Sequence, residues 1–168
     1  MITTMTPICY ACFDGDNDIH YYRLMQAWHK NEKFDFTFQN AHEITQARDS
    51  SSEQTIKRSL RTRLNASDVF IVLVGKNTQN LYKYVRWEIE VAIDMELPII
   101  VVNLDNKTSI NLDLCPPILR NHLAVHVSYG PKIINYAIKQ WPSEQNHLKS
   151  NKITGPRKYS SSIYSSLT

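Results

Sequence analysis

Cysteine is scarce in this chain, and the few cysteines present predict neither a disulfide framework nor a metal site. Only Cys9, Cys12 and Cys115 occur among 168 residues, whereas disulfide scaffolds need several pairs. Cys9 and Cys12 have the spacing of half a zinc site, but they lie in a predicted strand, where residues three apart point to opposite faces. Because no second pair accompanies them, we expect no bound metal.

Long apolar segments and a strong net charge are also missing. The longest apolar run, residues 97–102, is too short for a membrane span, and residues 1–7 lack the parts of a secretion signal. We therefore expect a cytoplasmic protein that does not bind membranes. The net charge is only +3, and we interpret the one basic concentration as a solvated helix face rather than a nucleic-acid surface, because no aromatic residues interleave with it. Its members are Lys57, Arg58, Arg61 and Arg63.

The remaining pattern alternates between strands and helices, which predicts a parallel α/β sheet. The predicted strands are residues 8–13, 34–38, 69–74, 98–104 and 123–128, and the predicted helices are residues 18–30, 52–65, 81–96 and 131–141. The third and fourth strands are apolar throughout, which is typical of central strands covered on both faces. We expect one domain over residues 1–147, with five parallel strands in the order 2-1-3-4-5.

Three further expectations concern the helices and the end of the chain. Residues 148–168 are rich in Ser, Lys and Tyr with few core residues, so they predict a polar tail of disordered composition. Ser51 and Gln54 form a capping box for the second helix. The first helix is expected to turn one apolar stripe toward the sheet, consisting of Tyr21, Leu24, Met25 and Trp28.

Glu88 occupies an unusual position for a charged residue. At about 100° per residue it lies in the middle of the apolar side of the helix predicted for residues 81–96, whose opposite side already carries other charges. A carboxylate there has to be paired, protonated or turned toward a cavity, because burying an unpaired charge is costly. Three interpretations stay open: a functional carboxylate, a residue paired with Arg or Lys of a neighbouring element, or a helix rotated slightly from the ideal wheel.

The predicted sheet places a ligand site close to the Glu88 helix. Open α/β sheets bind ligands outside the carboxyl ends of the strands, where the strand order reverses, which here is between strands one and three. The loops that meet there are residues 13–18 and 75–78, and they hold two of the four glycines in the chain. The second loop leads into the Glu88 helix, so polar loops and a misplaced carboxylate converge on one predicted crevice.

The acidic first loop fails three tests for known motifs. Residues 14–16 follow an apolar strand and resemble the nucleophile motif of haloacid-dehalogenase-type phosphatases, but no paired-acid magnesium motif follows. A receiver domain needs a phosphoacceptor aspartate where this chain has Gly75. An EF-hand loop starting at Asp14 lacks the required glycine and glutamate. We expect instead that Asp16 or Asp18 caps the helix that follows.

The ordered set of loops and helices resembles TIR-like domains, and more narrowly the TIR-like family that includes the sensor of the Thoeris antiphage system. The resemblance spans residues 8–104. It is carried by residues 13–18, 20–22, 56–58, 68–78 and 84–89. In TIR enzymes the catalytic glutamate lies after the third strand in a Trp-Cys-x-x-Glu pattern. Glu88 matches that glutamate, while Tyr84 and Val85 replace the tryptophan and the cysteine.

This resemblance implies a flavodoxin-like, three-layer fold and cleavage of the nicotinamide–ribose bond of NAD, the substrate, with no permanently bound cofactor. It also implies a cyclic or conjugated ADP-ribose product that signals to a separate effector protein. Glu88 is the implied catalytic residue. The residues expected to contact the substrate are Phe13, Asp14, Gly75, Lys76, Asn77, Tyr84 and Trp87.

The same resemblance leaves room for other classes of function. Many TIR domains act by assembling with like domains, and Glu88 would then be a paired core residue without a catalytic role. A homo-oligomer and a phage-derived trigger are further partners that the resemblance implies. A nucleic-acid-linked regulator that uses the basic helix face is a third hypothesis, which absent DNA and RNA binding would remove.

Overall fold

The computed structural model describes residues 6–31, 34, 36–39 and 52–168, and it shows alternating strands and helices. The strands are β1 (Ile8–Cys12), β2 (Thr37–Phe38), β3 (Val69–Val74), β4 (Ile99–Asn103), β5 (Ala124–Ser128) and β6 (Pro156–Lys158). The helices are α1 (Ile19–Asn31), α2 (Glu53–Asn65), α3 (Val85–Asp94), α4 (Pro131–Ser150) and α5 (Ser161–Ser166). Two short 3-10 helices span Thr78–Asn80 and Pro117–Leu119.

All strand pairs among the described residues are parallel, and the sheet has the order β2-β1-β3-β4-β5-β6. The first five strands follow the predicted order. β1 lies directly beside β3, with Cys12 opposite Val72 near their carboxyl ends. The strand order therefore reverses between β1 and β3, which puts the loop after β1 next to the loop after β3.

The prediction of five strands was wrong, because residues predicted to be a tail form the sixth strand. In β6, Arg157 lies opposite Val125 of β5. The segment is polar but carries an aromatic anchor: Tyr159 is buried in the core, and its hydroxyl donates to Glu144 Oε1 at 3.1 Å. A few well-placed tyrosines thus order a segment whose average composition suggests disorder.

Two apolar layers flank the sheet and make the fold a three-layer α/β/α sandwich, as predicted. Under α1 and α4 the buried residues include Tyr22, Met25, Ile134 and Trp141. Under α2 and α3 the buried residues include Tyr10, Leu60, Phe70 and Ile89. Every residue of β3 is buried, which confirms its central position. The architecture is flavodoxin-like.

The inner stripe of α1 was only partly predicted. Met25 is buried, but Leu24 is 48 % exposed, and Tyr22 is buried in its place. Tyr22 stacks on Phe13 with ring centroids 4.8 Å apart and meets Phe38 edge-on. These aromatic contacts turn the helix so that Tyr22 rather than Leu24 faces the sheet.

The ends of the other helices also differ from the predicted ends. α3 begins four residues later than predicted, after the turn that contains Thr78–Asn80. α4 continues through Pro142 to Ser150, because Trp141 and Gln145 extend its buried face. The N-cap of α2 is Ser52, whose Oγ accepts from Thr55 N at 3.2 Å, while Ser51, the predicted cap, lies outside the described residues. In the part of the chain that is described, no helix has both the length and the apolar composition for crossing a bilayer.

Candidate functional site

Glu88 lies on the buried face of α3, as its place in the apolar stripe predicted. Its neighbours on that face are Val85, Ile89 and Ala92, and its own side chain is only 5 % exposed. Because α3 begins at Val85, Glu88 stands in the first turn of the helix. A negative charge is favourable there, since the helix dipole leaves partial positive charge at its N-terminus.

The carboxylate of Glu88 is held by a tyrosine from the central part of the sheet. The hydroxyl of Tyr10 in β1 donates a hydrogen bond to Glu88 Oε2 at 2.5 Å, across 78 residues of sequence. Tyr10 is fully buried, and its ring stacks on Phe70 of β3 with centroids 5.6 Å apart. Burial, followed by the charge and hydrogen bond of Glu88, raises the pKa of Tyr10 well above its usual value. The phenol therefore stays protonated and remains a donor.

Two other polar groups lie near this pair. The positive charge of Arg63, near the end of α2, acts on Tyr10 and partly opposes the rise of its pKa. The thiol of Cys12 is buried and donates to the Val85 carbonyl at 3.9 Å. Burial and then the charge of Glu88 raise the pKa of Cys12, so the thiol is neutral. The carboxylate thus lies in a buried, low-dielectric environment, in which hydrogen bonds and electrostatic interactions are stronger than in water.

The loops after β1 and β3 meet, and the contact between them joins Gly75 to Asp18. Gly75 was expected to let a ligand approach the backbone. A Cβ atom at Gly75 would instead overlap the carboxyl group of Asp18, so the missing side chain makes room for another residue of the protein. The sequence predicted for Asp18 only a role as a helix cap. The signal that could have identified this contact is the glycine placed opposite an acidic loop at the strand-order reversal.

Asp18 is a second buried acid at this edge of the sheet. It is 8 % exposed, and its Oδ2 has no hydrogen-bond partner among the described residues. Burial, and then the negative charge of Asp14, raise the pKa of Asp18. The side chain that binds the loop backbone is Asp14: its carboxylate accepts from Asp16 N at 3.0 Å and from Asn17 Nδ2 at 2.7 Å.

The other loop residues proposed from the sequence are not grouped around Glu88. Phe13 packs with Tyr22 in the layer under α1, on the opposite side of the sheet from Glu88. Lys76 is exposed, and Asn77 Oδ1 accepts from Asn80 Nδ2 at 3.0 Å within its own turn. The loops therefore form a rim at the carboxyl edge of the sheet, while Glu88 lies beneath α3.

Tyr84 immediately precedes α3, and Trp87 lies in the first turn of that helix. Tyr84 is buried, with Lys83 Nζ 5.4 Å from its ring centroid. Trp87 is half-buried, and its ring lies 5.3 Å from Lys57 Nζ and 5.7 Å from Arg61 Cζ of α2. No aromatic residue interleaves with the basic residues of α2 in the sequence, but α3 supplies Trp87 to this face from a distant part of the chain.

A small cavity lies beside α3 but does not include Glu88. It has a volume of about 10 Å³, roughly the space of one water molecule, and its lining includes Leu81, Val85 and Ile89. A dinucleotide does not fit there. Among the described residues, no group of three or more His, Cys, Asp or Glu side chains is arranged to hold a metal ion.

One comparison with known proteins bears on this arrangement. The family model described as Thoeris protein ThsB, TIR-like domain, matches residues 10–109. The match covers well over half of the chain and includes Tyr10, Asp18, Gly75 and Glu88, which are the residues around which the site is built. The chain therefore belongs to the Thoeris ThsB family of TIR-like domains.

Proposed function

We propose that this protein is a NAD-cleaving enzyme of antiphage defence with Glu88 as its catalytic carboxylate. Membership of the Thoeris family supports the role in defence. The observation that carries the catalytic proposal is the placement of Glu88: a carboxylate in the first turn of α3, buried among apolar residues and bound by the Tyr10 hydroxyl. A buried carboxylate held by a fixed donor is a candidate functional group.

The chemistry requires a single carboxylate. In NAD the bond from the ribose to the cationic nicotinamide breaks with both electrons going to the nicotinamide, which leaves as a neutral molecule. The ribose carbon then carries oxocarbenium-like positive charge, as in glycoside hydrolysis. A carboxylate in a low-dielectric setting stabilises that charge, and no general acid is needed for the leaving group. A hydroxyl or another nucleophile then adds to the ribose carbon, releases its proton to solvent, and gives a cyclic or conjugated ADP-ribose.

NAD has to reach a carboxylate that is almost fully buried, so the proposal includes a rearrangement around the start of α3 that opens a path to Glu88 and keeps its hydrogen bond to Tyr10. The residues proposed to contact NAD after that change are Phe13, Asp14, Gly75, Lys76, Asn77, Tyr84 and Trp87. The proposal further includes a cytoplasmic location, assembly of several copies, activation by a phage-derived trigger, and an effector protein that responds to the nucleotide product. NAD is the substrate in this proposal, and no resident cofactor takes part.

A second candidate function is a TIR-like module that assembles with other proteins without catalysis. The burial of Glu88 and its hydrogen bond to Tyr10 favour this alternative, because they are also the features of a structural carboxylate in a core. Under this alternative Glu88 stabilises the packing of α3 on β1.

The experiment that separates the two candidates measures NAD turnover by the wild type and by Glu88→Gln. Both are tested as purified proteins and in lysate of phage-infected cells, with nicotinamide and nucleotide products identified by mass spectrometry. The control is Glu90→Gln, because Glu90 is partly exposed on the same helix and pairs with Arg86 at its surface. We expect Glu88→Gln to lose roughly 100- to 1,000-fold in turnover, and Glu90→Gln to match the wild type.

The fold of each variant is checked by circular dichroism and thermal unfolding. A folded Glu88→Gln protein without turnover supports the enzyme. Wild-type protein that leaves NAD intact in both the purified and the lysate assay supports the assembly module instead.

A further inference from the structure

We infer that Tyr10 is a positioning residue for Glu88, holding the carboxylate in one orientation for its work on the ribose. This inference deepens the proposed function and rests on it. Tyr10 is fully buried in β1, so it acts through Glu88 and does not itself meet the substrate.

The first step of the argument is that the hydroxyl of Tyr10 is fixed in space. β1 lies between β2 and β3, and Tyr10 itself pairs with Phe70 of β3. Its ring stacks on Phe70 with an angle of 13° between the planes. A tyrosine has only two side-chain torsions, and both are restrained here by packing.

The second step is that Glu88 by itself would be less well placed. A glutamate side chain has three torsions and loses considerable freedom when it is held in one conformer. The 2.5 Å hydrogen bond from Tyr10 to Oε2 selects one conformer of the carboxylate. An electrostatic group contributes most to a reaction when its orientation is set before the charge develops.

The third step concerns charge. A donor that binds the ionised form of a carboxyl favours that form, and Tyr10 is such a donor. Besides Glu88, the groups that act on Tyr10 are Cys12 of β1, whose thiol is neutral, and Arg63 of α2, which is positive. Tyr10 thus supplies a hydrogen bond that the ionised form of Glu88, the form that the reaction needs, accepts.

The test compares Tyr10→Phe with a matched control. Tyr159→Phe removes the same hydroxyl from another buried tyrosine that donates to a carboxylate, Glu144, at 3.1 Å and outside the site. In NAD turnover we expect Tyr10→Phe to lower kcat by roughly 10- to 100-fold with KM changed less than about twofold. The acid limb of its rate profile should also move to higher pH. Tyr159→Phe should leave kcat, KM and the pH profile unchanged.

A second readout does not depend on turnover. Unfolding is measured for Tyr10→Phe, Glu88→Gln and the double variant, and we expect the double variant to lose less stability than the two single changes added together. A loss in kcat with a shifted acid limb, together with this non-additivity, supports the positioning role. Wild-type kinetics in Tyr10→Phe, or a rise in KM alone, overturns it while the enzyme proposal stands. A wild type that never turns over NAD overturns the proposed function first, and the pair is then part of the core.

Discussion

Two of the acidic side chains that the described residues bury, Glu88 and Asp18, lie in different surroundings. Glu88 is 5 % exposed and receives a short hydrogen bond from Tyr10, in the first turn of a helix. Asp18 is 8 % exposed, yet its Oδ2 lacks a hydrogen-bond partner among the described residues and lies against Gly75. The difference teaches that burial alone does not identify a functional carboxylate. The hydrogen-bond partners of a buried carboxyl group help to decide whether its ionised or its protonated form is stable.

The hydrogen-bond partners of the two acids differ. Glu88 accepts from the Tyr10 hydroxyl, whereas burial and the neighbouring Asp14 raise the pKa of Asp18 and favour its neutral form. We therefore interpret Glu88 as a carboxylate held by a donor and Asp18 as a group that fills space above Gly75. The following predictions test or sharpen this contrast, from the largest expected effect to the smallest.

A third buried group, His126, is expected to destabilise the fold in acid. It therefore limits the pH range over which variants of the two carboxyls can be compared. His126 is fully buried in β5, neither ring nitrogen has a hydrogen-bond partner among the described residues, and burial lowers its pKa to about 4. The unfolded chain, with a value near 6.5, binds a proton first as the pH falls. We therefore expect the contribution of His126 to stability to be fully present above about pH 6.5 and to fall by about 3 kcal/mol as the pH drops to about 4.

Denaturant unfolding of the wild type and His126→Leu across this pH range measures the effect. The control is His147→Gln, because His147 is exposed in the last turn of α4. We expect His126→Leu to flatten the pH dependence and His147→Gln to retain it. A pH dependence that His126→Leu leaves intact would show that other groups cause the loss of stability.

Gly75→Ala tests the close contact between Asp18 and Gly75, which has no counterpart at Glu88. The new Cβ overlaps the Asp18 carboxyl, so we expect the free energy of unfolding to fall by roughly 1–3 kcal/mol. Adding Asp18→Ala should recover much of that loss, because the overlapping group is gone. Gly15→Ala is the control, since a Cβ at Gly15 meets no atom within 4 Å. If Gly75→Ala is as stable as Gly15→Ala, the two loops are not packed as described.

Asp18→Asn tests the protonation of the second acid directly. The folded pKa of Asp18 is raised, so its charge costs stability at neutral pH, and that cost disappears as the pH falls below the unfolded value. We expect Asp18→Asn to raise the free energy of unfolding by about 1 kcal/mol at neutral pH and by less in acid. Glu88→Gln should have the opposite sign at neutral pH. Destabilisation by both changes would remove the contrast between the two acids.

The local features of the site were predictable from the sequence, because they depend on nearby residues. The 3.6-residue period placed Glu88 on the buried face of its helix, and the unbroken apolar run of residues 69–74 predicted a central strand. The reversal of strand order followed from the alternation of elements and brought the two loops together.

The features that escaped prediction depend on contacts between distant residues. The bond from Tyr10 to Glu88 joins residues 78 positions apart, and Trp87 reaches the basic face of α2 from another helix. Tyr159 orders a polar segment whose composition gave no sign of a strand. Periodicity reports which face of an element is buried, but it does not report which residue lies opposite.

The most direct test of the central claim is the amount of nicotinamide released per NAD consumed, measured side by side for the wild type and Glu88→Gln in lysate of phage-infected cells. We predict that the wild type releases one nicotinamide per NAD and forms one ADP-ribose-derived nucleotide, while folded Glu88→Gln releases almost none. Equal release by the two proteins would contradict the assignment of Glu88 as the catalytic carboxylate.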